Sequence, residues 1–332
     1  KSLGEFGGRL KQVMGSRYDR KLKIVTIGGG HGQSVALKAV LPFSRTLTAV
    51  VSTADDGGCS GILRGSGMPP PGDLRRCLTS MATHSRRARS LELRTNKGRS
   101  YGNLILADIW KKTLNLQEAS DQVGSWLGAS GRVCPILNEA ATLVATTRDG
   151  DLIVGETAVD AHQDRILELR VRHEGRLNPA VRSAIQRAEV ILIGPGSFFT
   201  SILACLLVDD LRNELRACSA LKIFVTNLAL SAAEQDRFTD GVGAVRWLQQ
   251  MMEVDRTDPD WLILTHGPEN MYSASERMAV SPMQGAGDRH SEHRLYEGIQ
   301  WAIRSTGLGG IVVDHTDEQR LSPVRVSQRL VG

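Results

Sequence analysis

Apolar residues along the chain fall into short unbroken runs separated by stretches of helical spacing. Residues 23–27 (KIVTI), 47–53, 190–193 (VILI), 222–230, 261–267 and 309–315 are runs of the first kind. Continuous apolar runs this short, ended by Gly, Asn or His, predict strands buried on both faces of a parallel sheet. Helical spacing occupies residues 34–40, 178–187, 243–252 and 295–303, and most of 75–130. In YGNLILADIWKKTL (101–114) the apolar positions 104, 105, 109 and 110 make an amphipathic helix, with Asn103 as its N-cap candidate. Residues 131–171 differ: apolar and polar residues alternate around Asp-Gly and Gly turns, which predicts short, partly antiparallel strands. Residues 270–293 read as loop. The rhythm is that of an α/β protein whose halves share one sheet.

Candidate chemistry sits where strands end. After the first strand come four glycines in five residues, Gly28, Gly29, Gly30 and Gly32, with His31 among them, and then a helix. Such a turn lets the backbone approach an anion and aims helix N-terminal N–H groups at it. It is no Walker A loop, since no Gly-Lys-Ser/Thr follows. It is no regular G-x-G-x-x-G either, because Gln33 holds the third glycine position. The simpler reading is a tight strand-to-helix connection. The second strand closes a βαβ unit and ends in Asp55-Asp56-Gly57-Gly58, which places both aspartates at the ligand-facing end of the sheet. Two carboxylates there suit Mg²⁺, ribose hydroxyls, an acceptor hydroxyl, or merely a capped turn. Asp73, after three prolines and Gly72, is a helix cap or a ligand, and Arg75 and Arg76 reach a phosphate or solvent. A second strand–glycine turn–helix occurs at GPGS (194–197), with Ser197, Thr200 and Ser201 at the helix start. Two such turns make a diphosphate ligand plausible. Asn227 and His266 stand at later strand ends, where a His is more often incidental.

Composition narrows the classes. With 332 residues, 41% hydrophobic and 23% charged, the chain can bury a sizeable core. Its net charge of +5 is concentrated in residues 1–23 and 84–99, each stretch being about +5, and the remainder is acidic. A broad basic face for nucleic acid is therefore not expected. The five cysteines are scattered without C-x-x-C spacing, which argues against a zinc site or disulfide framework and fits a reducing, cytoplasmic setting. No apolar run approaches the roughly 18 residues of a membrane span, and the first residues lack a signal-peptide core.

GGGHG, ADDGGCSG, PPPGDLR, YGNLIL, IGPGSFFTS and VTNL occur in that order. The ordered set resembles the CofD/YvcK family, which includes phospholactate transferases and proposed gluconeogenesis factors; GGGHG and the Pro-Pro-Gly-Asp motif match the gluconeogenesis-factor branch. The resemblance implies a Rossmann-like three-layer α/β fold over residues 22–320, with a mostly parallel sheet, a helical insertion at about 75–130 and a small antiparallel patch. Residues 1–21 and 321–332 would be tails. It implies a nucleotide site at Gly29, Gly30, His31, Gly32, Gly194, Gly196, Ser197, Thr200 and Asn227. Asp55, Asp56 and Asp73 would form an acidic pocket with Asn103 nearby, Asp55 and Asp56 being the metal ligands and, in an enzyme, the catalytic pair. The implied ligands are a nucleotide diphosphate or UDP-sugar, with Mg²⁺. Two functions stay open: a UDP-sugar-binding factor acting in central carbon use and cell shape without turnover, or a phospholactate-type transferase; either admits a homo-oligomer. Departures from the family pattern are Cys59 for Ser, Phe199 for Tyr, and SAAEQDRFT (231–239) for a Gln-Pro-Gly-Glu-Thr stretch, with Glu234, Asp236 and Phe238 as the aligned positions.

Overall fold

The computed structural model describes residues 21–162, 165–235, 237–285 and 289–306. Both expected tails, Asp236 and the expected strand at 309–315 lie outside the described residues, save Lys21. The strands β1 (Leu22–Gly28), β2 (Ser44–Val51), β3 (Arg132–Pro135), β7 (Val190–Ile193), β8 (Leu221–Val225), β9 (Trp261–His266), β10 (Met271–Ser273) and β11 (Met278–Ser281) build one sheet in the order β10-β11-β9-β8-β7-β1-β2-β3. All pairs are parallel except β10 with β11. A second, antiparallel sheet runs β5 (Leu152–Val154), β4 (Thr142–Thr147), β6 (Ile166–Arg172).

The central strands are apolar throughout because both of their faces are covered. On β1, Ile24 packs with Leu37, Val40 and Leu74 on one side, while Val25 and Ile27 pack with Leu143, Ile193 and Phe198 on the other. The first side carries α1 (Gly30–Val40), the helical block α3 (Gly72–Ser80), α4 (Ser85–Glu92), α5 (Tyr101–Thr113) and α6 (Leu116–Leu127), and α11 (Glu292–Ser305). The second carries the small sheet, α8 (Pro179–Arg187), α9 (Asp209–Ala217) and α10 (Gly241–Met251). Two short helices, α2 (Gly58–Arg64) and α7 (Glu156–Ala161), follow the acidic turn and β5.

The expected three-layer fold is present, with four local corrections. Within the helical block the basic stretch at 84–99, expected as an interruption, is half helix: Ser85–Glu92 form α4, anchored by buried Leu91, and only the residues after it form a non-helical turn. Asn103 is not the N-cap of α5; Ser100 occupies that position, and Asn103 lies buried inside the first turn. The 270–293 region holds β10 and β11, whose Met- and Ser-rich sequence lacks strand character and gains its strand from pairing at the sheet edge. β3 joins the main sheet beside β2, leaving only β4–β6 in the antiparallel patch.

β1 leads through α1 to β2 on one side of it, whereas β7, on its other side, leads away to β8. The order reverses between β1 and β7, and a crevice opens at their C-terminal ends. The two glycine turns meet there. A Cβ on Gly32 would lie 2.3 Å from the Pro195 carbonyl oxygen and 2.7 Å from its carbon. Gly32 sits in the first turn of a helix, where Ala is otherwise the better residue. The Gly32→Ala variant should therefore lose about 1–3 kcal/mol in chemical denaturation, whereas Gly243→Ala, in the first turn of α10 with only ordinary contacts, should be neutral or stabilising. Equal stability of Gly32→Ala and wild type would show that the two turns do not press together.

Candidate functional site

Gln33, the residue that spoils the dinucleotide fingerprint, is buried beneath the first turn. Its amide donates to the Val50 carbonyl at 2.9 Å and to the Thr26 carbonyl and hydroxyl at 3.4 and 3.3 Å, tying the base of α1 to β1 and β2. Gly30 takes φ +64°, a left-handed conformation that any side chain would strain. Its N–H donates to Asp73 Oδ1 at 3.1 Å, and that oxygen also accepts from Arg76 at 2.8 Å. Asp73 lies in the first turn of α3, so it caps α1, a different helix from its own. Burial pushes its carboxyl up, and Asp55 adds to the rise against the opposing pull of Arg76 and the Gly30 bond. Helix geometry leaves the N–H groups of His31 and Gly32 without intrahelical acceptors.

The second turn is braced from behind. Asn227 accepts from Gly196 N–H at 3.0 Å and donates to Gly196 O at 2.7 Å. Ser197 accepts from Thr200 N–H at 3.3 Å, and Glu234 accepts from Phe198 N–H at 2.6 Å. The chain then enters a π-helical turn, Phe198–Leu203. Buried Ser201 brings its hydroxyl within 3.4–3.9 Å of Cβ positions on Gly29, Gly30 and Gly196. Asn227, Gly196, Ser197, Thr200, Gly194, Gly29, Gly30, His31 and Gly32 thus gather at one crevice. The backbone donors of Gly30, Gly196 and Thr200, however, already have partners within the chain. Phe199 packs with Phe198 and Phe238, so the family's Tyr position is here part of an apolar cluster.

The two adjacent aspartates face different ways. Asp55 accepts from Gly57 N–H at 2.9 Å, and its other oxygen stands beside Gly72 and the Ser60 hydroxyl. Asp56 Oδ1 accepts from both the backbone N–H and the hydroxyl of Thr157, at 2.8 and 2.7 Å, and so caps α7 from across the chain. Among the described residues, no group of three or more His, Cys, Asp or Glu side chains is spaced to hold a metal ion.

Capping α7 brings in Glu156, a carboxylate not anticipated from sequence. Burial pushes Glu156 up to about 9, with Asp55, Asp73, Asp56 and Asp160 adding to the rise. Only the fold of the antiparallel patch carries it to the acidic turn. Cationic groups gather at the opposite side. Arg76, burial, Arg289 and Arg75 all lower the proton affinity of His31, and Glu92 opposes them. Arg75 is buried and paired with Glu92, with its Nε unpartnered, and Asn103 Oδ1 is likewise buried without a partner. His266 stays at its strand end, where its Nδ1 accepts from Met283 N–H at 3.0 Å.

Residues 24–296 match the family model described as 2-phospho-L-lactate transferase CofD.

The chain belongs to the CofD family.

Two relatives named as proposed gluconeogenesis factors agree with this. The one from Thermotoga maritima is 36% identical over 242 residues, 70% of this chain and 77% of that protein. The one from Clostridium acetobutylicum is 35% identical over 247 residues, 69% of this chain but only 54% of that protein. The crystal structure of a UPF0052 family member from Bacillus halodurans superposes with a TM-score of 0.76 at 26% identity, over 85% of this chain and 99% of that one. No helix among the described residues is long and apolar enough to cross a membrane.

The position of Glu156 has a thermodynamic consequence. Its native proton affinity exceeds that of an unfolded Glu, so the native state holds a proton that the unfolded chain releases. Stability from this site is present below the unfolded value of about 4.3 and is lost as pH rises toward about 9. Glu156→Gln should raise Tm over wild type by clearly more at pH 8 than at pH 5. An equal difference at both pH values would remove Glu156 from the buried acidic group.

Proposed function

We propose that this CofD family member binds a nucleotide diphosphate, with a UDP-sugar as the preferred ligand, at the crevice between β1 and β7, and acts without turnover as a gluconeogenesis and cell-shape factor. The observation that carries the reading is the meeting of two glycine turns at the reversal of strand order. The unpaired first-turn N–H groups of α1 and the positive side chains of Arg76 and Arg289 stand at the same place. A diphosphate needs that combination of backbone donors, helix N-terminus and guanidinium groups. The braces on Gly30 and Gly196 assign Asp73 and Asn227 to shaping the turns, so ligand contact falls mainly on His31, Gly32 and the neighbouring arginines. The names of the relatives support the gluconeogenesis part alone, and they concern whole proteins that are in part longer than the matched segment.

A second reading, an Mg²⁺-dependent transferase of the phospholactate type, is favoured by the acidic group itself. Asp55 lies close enough to raise the proton affinity of Asp73, and Asp55 and Asp73 both raise that of Glu156. Carboxylate oxygens are the right donors for Mg²⁺, which commonly takes one or two carboxylates and completes its shell with phosphate and water. Asp55 has the less committed carboxylate, so it would hold such an ion, with Asp56 kept in place by Thr157. In an enzyme the ion would supply charge neutralisation at the phosphates, while Asp55 would orient an acceptor hydroxyl.

Thermal shift with UDP-N-acetylglucosamine, GDP and NAD, each with and without Mg²⁺, separates these readings. A native-state ligand at 100 times its Kd adds about 2.7 kcal/mol of apparent stability. The UDP-sugar should give the largest rise and NAD none. Asp55→Asn should abolish any Mg²⁺ dependence, and Asn227→Ala should weaken the nucleotide response. Absence of stabilisation by every nucleotide would overturn the binding reading, and release of a transferred product would favour the enzyme.

A further inference from the structure

The outward face of α4 and the turn after it carry a cationic surface that lies outside the nucleotide crevice. Arg86, Arg89 and Leu93 stand at i, i+3 and i+7, on the side of the helix opposite buried Leu91. Exposed Arg94 and Lys97 follow in a turn closed by Gly98 N–H to Thr95 O (2.8 Å) and Thr95 N–H to Arg99 O (2.8 Å). Among the described residues none of Arg86, Arg87, Arg89, Arg94 and Lys97 has a carboxylate partner, although Arg94 donates to Gly98 O and Arg87 to Trp126 O. Glu92, the only acid between 84 and 99, is occupied by Arg75 and Thr79.

Apolar side chains are set among these charges. Leu93 is 60% exposed and Tyr101 46%, and the two are joined by Tyr101 N–H donating to Leu93 O at 3.0 Å. Ile105 lies one helical turn beyond Tyr101 on the same face and is also exposed. At the other end of α4, exposed Trp126 lies under the Arg87 guanidinium at 5.3 Å. Phosphate-backbone recognition uses cations and needs no exposed Leu and Ile beside them. Arginine and lysine interleaved with Leu, Tyr and Trp is the chemistry of a bilayer interface, where cations meet anionic headgroups and amphipathic rings settle at headgroup depth.

We propose that the α4 surface docks this protein reversibly on an anionic lipid bilayer. The occupant is fixed by charge complementarity together with the apolar side chains: a negative surface neutralises the unpaired cations, and Leu93 and Tyr101 enter its boundary. The docked surface borders the candidate site, because Glu92 at the end of α4 acts electrostatically on His31. Docking therefore holds the mouth of the crevice close to the membrane surface.

The test is co-sedimentation of the full chain with vesicles of phosphatidylcholine alone and with added phosphatidylglycerol, across a salt series. Wild type should partition only onto the phosphatidylglycerol vesicles and be released as salt screens the attraction. The combined variant Arg86→Gln, Arg89→Gln, Arg94→Gln, Lys97→Gln should lose at least about tenfold in partitioning. Leu93→Ser with Tyr101→Ser should weaken binding several-fold at fixed salt, with circular dichroism confirming that both variants fold. No partitioning at low salt, or undiminished partitioning of the charge variant, would overturn the proposal. So would an unaffected Leu93/Tyr101 variant, or a polyanionic oligonucleotide or acidic peptide that binds the surface as tightly as the vesicles do.

Discussion

The constraint on which the crevice depends is backbone against backbone: the first turn of α1 at Gly32 lies on the Pro195 carbonyl of the second glycine turn. No side chain of any size fits between them. That approach fixes the spacing of β1 and β7 at their C-terminal ends and so sets the width of the crevice. It also explains how the surrounding polar groups are used. Gln33 holds α1 down onto β1 and β2, Asp73 caps α1 through Gly30, and Asn227 and Glu234 hold the second turn from the far side. Asp73, Asn227 and Glu234 each satisfy a backbone N–H that the tight turns leave without a backbone partner, whereas Gln33 donates to the Val50 and Thr26 carbonyls.

The site then divides by charge. On one side Arg76 and Arg289 act on His31, while on the side of the antiparallel patch Asp55 disfavours ionisation of Asp73, and both disfavour that of Glu156. Asp73 joins the two halves, being paired with Arg76 while lying close to Asp55. A ligand with a diphosphate at one end and hydroxyl-bearing sugar at the other matches that polarity, because anion and hydroxyls each meet complementary groups. The acidic half also stores unfavourable desolvation that a bound cation or hydrogen-bond donor would relieve.

The sequence pattern revealed the sheet because parallel central strands are apolar on both faces, and it revealed both glycine turns because no other residue type tolerates such an approach. It also carried the family resemblance, which the comparisons support. What it concealed depended on contacts between distant segments. Asp56 is bound to Thr157, which is 101 residues away, and nothing in Gly-Glu-Thr after a short strand marks Glu156 as part of an acidic pocket. Arg289 lies in a stretch without periodicity. Asn103 looked like a cap from its neighbours, yet its buried, unpartnered oxygen is a feature of helix packing. Aspartates adjacent in sequence suggested one shared role, but the turn geometry sends them to different partners.

The central claim is that the two glycine turns form a single diphosphate cradle. The most direct measurement is a crystal structure of the protein soaked with UDP-N-acetylglucosamine, with the phosphorus positions located by difference density. The account predicts the diphosphate in the crevice that residues 30–32 and 194–197 line together, against the first turn of α1 and within reach of Arg76. A nucleotide bound elsewhere on the protein, with no density in that crevice, would contradict it.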